Sequence, residues 1–259
     1  MGVRHVEFAW APELYCFRET NAITVEQQLE GLNRAFNEAK EKFNITTLLI
    51  MTFVRHNPIE NCYKVLELTE PYKNQIAGVG LAGCEQGFGP ELFQEVFKVS
   101  KEKYGYKLTA HAGEVTDSKC VKDTIDLLKV DRIDHGIQSM HDKELLQSII
   151  DTKMHLTLCP NSNVILKAFS DIDELPLRDF YDRGVHFSIN SDDPPFFNAS
   201  LIENYYMLVK AKTFNFTKAE WINIAKMGFE GSFLSEEQKQ LYYAELEVYA
   251  ASHNVILEK

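Results

Sequence analysis

Short apolar runs alternate along the chain with longer stretches in which apolar residues recur every three or four positions. The short runs predict strands at residues 3–8, 47–53, 76–81, 107–111, 132–135, 155–158 and 186–190. Most are apolar on both faces, as strands buried on both sides of a parallel sheet are. Between them the helical period dominates. Its clearest instance is 25–43, where Leu29, Leu32, Phe36, Ala39 and Phe43 form one stripe. Further helices are expected at 59–72, 90–104, 118–128, 142–152 and 175–183, and then within 200–212, 218–227 and 235–252. Strand–helix alternation of this kind predicts βα units and a parallel sheet, the pattern of a TIM-type (β/α)₈ barrel. Seven strands are counted where a closed barrel has eight. The spacing leaves no room for another βα unit inside the chain, so the reading is of an incomplete barrel whose absent strand belongs before Val3.

Length fits that picture. A chain of 259 residues is the size of one (β/α) barrel, and no linker, repeat or low-complexity tract interrupts it, so one domain over 1–259 is expected. A hydrophobic fraction of 45% with 25% charged residues is that of a globular protein and argues against disorder. The net charge of −11 disfavours nucleic acid and anionic membranes as partners, because both require basic surface. A small molecule in a pocket is the expected partner. Five cysteines, odd in number, widely spaced and without a C-x-x-C, argue for reduced thiols and a cytoplasmic location. No run of about 18 apolar residues exists to cross a membrane.

The chemistry lies at the ends of predicted strands. Thr109-Ala110-His111-Ala112-Gly113-Glu114, Arg132-Ile133-Asp134-His135-Gly136, Ser188-Ile189-Asn190-Ser191-Asp192-Asp193-Pro194 and Gly80-Leu81-Ala82-Gly83 each place polar or glycine residues there. In a TIM barrel these C-terminal ends converge on the active site. Each alone has an ordinary explanation: a buried histidine, an Asp-Pro turn, a turn glycine. Their joint occurrence on separate strands does not. Two imidazoles and three carboxylates suit a divalent zinc ion with one coordination position left for water. The remaining groups can then move protons.

At these residues the sequence resembles the adenosine/adenine deaminase family of the amidohydrolase superfamily. The likeness runs through His111-Ala112-Gly113-Glu114, His135-Gly136 and Asn190-Ser191-Asp192-Asp193-Pro194. It extends to Val3-Arg4-His5-Val6-Glu7 and to Phe233-Leu234-Ser235-Glu236-Glu237-Gln238-Lys239. The resemblance implies zinc-dependent hydrolytic deamination of an aminopurine. His111 and Asp192 would bind zinc, Glu114 would protonate purine N1, and His135 would take the proton of the attacking water. Asp193 would hold N7, and the Gly83 N–H would reach N3.

Two departures from the family pattern bear on this expectation. The family binds zinc through a further His-x-His motif on its first strand, and none of the eight histidines here is separated from another by one residue. His56, His141 and His253 read as surface or helix-end residues, and His155 and His186 as strand starts. The expectation is a truncated deaminase or a silent paralogue; under either reading the chain would hold zinc weakly and expose a sheet edge. The substrate signals also divide. Asp134 before His135 looks like the adenine branch of the family. Leu81-Ala82-Gly83 and Glu85-Gln86-Gly87-Phe88 look like the adenosine branch, towards which the reading leans slightly.

Overall fold

Apolar runs too short for helices can bury both faces only as neighbours in a sheet, and the chain uses them in this way. A computed structural model describes residues 2–256. Its strands are β1 (His5–Trp10), β2 (Thr46–Val54), β3 (Gly78–Ala82), β4 (Lys107–Ala112), β5 (Arg132–His135), β6 (His155–Leu158) and β7 (Phe187–Ile189). They take the order β1-β2-β3-β4-β5-β6-β7, so chain order and sheet order coincide. Every registered pair is parallel. This is the α/β barrel class, with seven strands among the described residues. No helix among them is long and apolar enough to cross a membrane.

The chain clusters into two compact units, Met1–His111 with Asp123–Val130, and Ala112–Lys122 with Asp131–Lys259. In the first, β1 pairs with β2 from His5↔Thr46 to Trp10↔Met51, and β2 with β3 from Ile50↔Gly78 to Val54↔Ala82. Met51, Phe53, Val79, Leu81 and Phe97 are wholly buried there. Gly78 is required by packing: a Cβ would lie 2.6 Å from the Lys107 carbonyl oxygen. The helices are α1 (Glu13–Cys16), α2 (Val25–Phe43), α3 (Ile59–Thr69) and α4 (Gln94–Glu102). The predicted bounds of α2 are met at both ends. Thr24 and Gln27 cap its start reciprocally, and Asn44 ends it in the left-handed region at φ 53°. Its apolar stripe runs past the core, for Phe43 is 64% exposed. Buried Glu13 fastens α1 to the end of β2: its carboxylate accepts the Val54 N–H at 2.8 Å and the Asn57 side-chain amide at 2.8 Å.

In the second unit β5 pairs with β6 from Arg132↔His155 to Asp134↔Thr157, and β6 with β7 from Leu156↔Phe187 to Leu158↔Ile189. The helices are α5 (Ser118–Asp123), α6 (Lys143–Thr152), α7 (Pro160–Ile165), α8 (Leu177–Arg183), α9 (Pro194–Phe197), α10 (Leu201–Lys210), α11 (Lys218–Glu230) and α12 (Glu236–Ser252). Residues 118–128, predicted as one helix, end in a wider π turn over Thr124–Leu128. The segment Phe233-Leu234-Ser235 is explained by packing. The Arg132 guanidinium lies 4.2 Å over the Phe233 ring, Leu234 is buried, and Ser235 caps α12.

Candidate active site

Glu114, His135 and Asp192 meet within the second unit. His135 closes β5 and is 2% exposed. Its Nδ1 stands 3.5 Å from Glu114 Oε1, and its Nε2 stands 3.9 Å from Asp192 Oδ2. One imidazole therefore faces a carboxylate through each ring nitrogen, which suits it to receive a proton on one side and pass charge to the other. His111 is the penultimate residue of β4.

Local backbone chemistry positions these side chains. The Gly136 N–H donates to the Ala112 carbonyl at 2.9 Å and the Gln138 N–H to that of Gly113 at 3.1 Å, so the two histidine motifs run side by side. His135 (φ 64°) and Asp192 (φ 55°) both adopt the left-handed conformation. Non-glycine residues take it uncommonly, with Asp and His among the types enriched there. Gly113 (φ 63°) leaves no room for a side chain, since a Cβ would meet Val121 Cγ2 at 2.4 Å. On the other side of His111, buried Arg55 donates to the His111 carbonyl and, at 2.9 Å, to that of Phe88. A guanidinium so deep in the protein must be hydrogen-bonded, and these bonds brace β4 at His111.

Three further groups surround the acids, and two of them, Ser162 and Cys159, were given no role from the sequence. The Ser162 hydroxyl, 1% exposed, donates to Glu114 Oε1 at 2.8 Å. Cys159, between β6 and α7, is buried. Loss of solvent pushes its thiol pKa far up, and the charges of Asp192, Glu114 and Asp134 add to this. Asp134, which resembles the adenine branch, accepts the Thr157 hydroxyl at 3.2 Å and pairs with Arg132 at 3.5 Å, tying β5 to β6. The detectable signal was their position: Cys159-Pro160-Asn161-Ser162 begins where β6 ends, at the strand-end level of the other motifs.

The two residues expected to touch substrate sit on loops. Gly83 (φ 99°) follows β3 and is exposed. A Cβ there would come 2.8 Å from His56 Nδ1, so His56, read as a surface residue, is exposed and also abuts this turn. Asp193 is exposed and starts α9, its carbonyl accepting the N–H groups of Phe196 and Phe197. His155 and His186 fall at strand starts, as expected; His155 Nε2 lies 2.9 Å from the Ser188 hydroxyl.

The sequence profile of the adenosine deaminase family matches residues 1–248. The chain belongs to the adenosine deaminase family. Within this family it is 41% identical over 248 residues to an adenine deaminase of Kluyveromyces lactis, covering 95% of this chain and 68% of that one. It is 39% identical over 241 residues to an adenine deaminase of Psychrobacter cryohalolentis, covering 93% and 71%. Among solved structures it superposes on adenine deaminase from Arthrobacter aurescens with a TM-score of 0.90 at 31% identity, over 96% of this chain and 75% of that one. The family and fold make this chain a hydrolytic deaminase.

Proposed function

We propose that the chain deaminates adenine, converting it with water to hypoxanthine and ammonia, with zinc held by His111 and Asp192. The relatives quoted above carry the substrate assignment, since all three are named adenine deaminases. The donor set carries the metal. The His111 imidazole and the Asp192 carboxylate are both donor types that zinc takes. When bound there, zinc would supply acidity, bringing the pKa of a coordinated water far down to about 7.

The chain's own residues do the rest. Protonated Glu114 gives its proton to purine N1, which makes C6 electrophilic. His135 takes the proton released as water adds to C6, and returns it to the departing amino group. Ammonia leaves, the C6 hydroxyl returns a proton to the Glu114 carboxylate, and the 6-oxopurine remains. Asp193 orients the ring through N7, and the Gly83 N–H donates to N3. Adenine is the small-molecule partner, and the cytoplasm is the expected location.

The test is turnover of adenine and adenosine by the zinc-supplemented chain, read as ammonia release and ultraviolet change. We expect kcat/KM for adenine to exceed that for adenosine by at least about 100-fold, the discrimination that unpaired buried polar groups readily provide. Preference for adenosine overturns the substrate assignment, and turnover of neither overturns the function.

A further inference from the structure

We propose that Ser162 is the positioning residue for the general acid, its hydroxyl holding Glu114 Oε1 so that the acid proton rides on Oε2 and is aimed at the purine. The inference rests on the reading of Glu114 as the acid.

The observations are geometric. The Ser162–Glu114 separation of 2.8 Å is the favoured O–H···O distance. Ser162 is 1% exposed, so water does not compete for this bond as it does at a surface. The serine has little freedom of its own. Pro160 opens α7 directly after Cys159, and the Asn163 N–H donates to the Cys159 carbonyl at 3.1 Å. The neighbouring Asn161 is held twice: its N–H donates to Asn204 Oδ1 at 3.0 Å, and its side-chain amide to the Phe197 carbonyl at 2.9 Å. The hydroxyl thus sits on a braced helix start, while the glutamate it holds stands on the loop after β4.

Such an acid needs this support. Several torsions separate a glutamate carboxyl from its backbone, and each has staggered alternatives. A protonated carboxyl carries its proton on one oxygen. A donor at Oε1 makes that oxygen the acceptor and favours the proton on Oε2. His135 Nδ1, 3.5 Å from Oε1, faces the same oxygen. Two groups therefore converge on Oε1, and the arrangement sorts the two oxygens into one that is held and one that delivers.

The experiment compares the wild-type chain with Ser162→Ala, Glu114→Gln and the double variant. In Ser162→Ala we expect kcat for adenine to fall about 10- to 100-fold, as misaimed reacting groups do, with KM within about two-fold. Added to Glu114→Gln, the same change costs nothing further, because no acid is left to aim. A structural defect would lower both backgrounds alike. An infrared arm needs no turnover: the carboxyl band lost in Glu114→Gln is expected to shift in Ser162→Ala. Ser162→Cys, a weaker donor of similar size, repeats every arm if the alanine variant folds poorly. An unmoved band overturns the proposal. So does an active wild type whose kcat the alanine change leaves within two-fold, or an equal loss in both backgrounds. A wild type inactive on both purines refutes the proposed function instead, and the infrared arm still decides whether Ser162 holds Glu114.

Discussion

His135 and Asp192 both hold a positive φ without being glycine, as do eight other described residues, all of them Asn or Lys. The motifs His135-Gly136 and Asp192-Asp193-Pro194 were legible because charged groups at buried strand ends have few structural reasons to exist. Ser162 and Cys159 were not, because serine is common in any turn and cysteine is at home in any core. Burial separates the cysteines in a way that can be measured. Cys62 is buried and its thiol is pushed up to about 12, mainly by loss of solvent. Cys159 is raised by burial and by the surrounding carboxylates, whereas Cys84 is exposed. Only thiolates react, so iodoacetamide at mildly alkaline pH is expected to label Cys84 in the native protein and spare Cys62 and Cys159. Peptide mass spectrometry reads the outcome, and labelling of Cys159 in folded protein would refute it.

Elements were legible in proportion to their length. α2 satisfies a long period and carries sequence caps at both ends, and the predicted limits 25–43 hold. The short α1, α7 and α9 span too few residues for a period to show, and α7, which carries Ser162, was therefore missed. The strands were placed to within about two residues, since an apolar run marks the core of a strand better than its ends. Helix starts repeat one device: Thr24 with Gln27, Ser200 with Glu203, Thr217 with Glu220 and Ser235 with Gln238 each form a reciprocal cap. Replacing Thr217 by alanine removes the acceptor for the Glu220 N–H and is expected to cost about 1 kcal/mol. A urea titration of the variant reads this as a lower midpoint at unchanged slope.

For the whole molecule, the strand order and the deaminase likeness were both legible, because each rests on many residues. The substrate was not: Asp134 and Leu81-Ala82-Gly83 pointed to different branches, and Asp134 turns out to join β5 to β6. Stability should depend on pH through His186. Burial holds its pKa below the ordinary 6.5, Lys153 lowers it further, and Glu230 at 3.5 Å offsets part of the shift. The folded chain then keeps His186 neutral where the unfolded chain already binds a proton. This contribution is present above about pH 6.5 and is lost as pH falls through the folded value. Urea midpoints at about pH 7.5 and about pH 5.5 should therefore differ less in His186→Gln than in wild type. An equal difference would exclude the residue.

The side chain of Asn161 joins regions with separate tasks. From the helix that carries Ser162, it reaches the carbonyl of Phe197, the last residue of α9, whose first turn begins at Asp193. A single amide thus works as a crossbar between the turn that begins at Asp193 and the helix that carries Ser162. With Asp193 holding the base and Ser162 the acid, as proposed, redesign of the Asp193–Phe197 turn towards another purine would tug on proton delivery as well, and laboratory evolution of specificity should meet epistasis at Asn161.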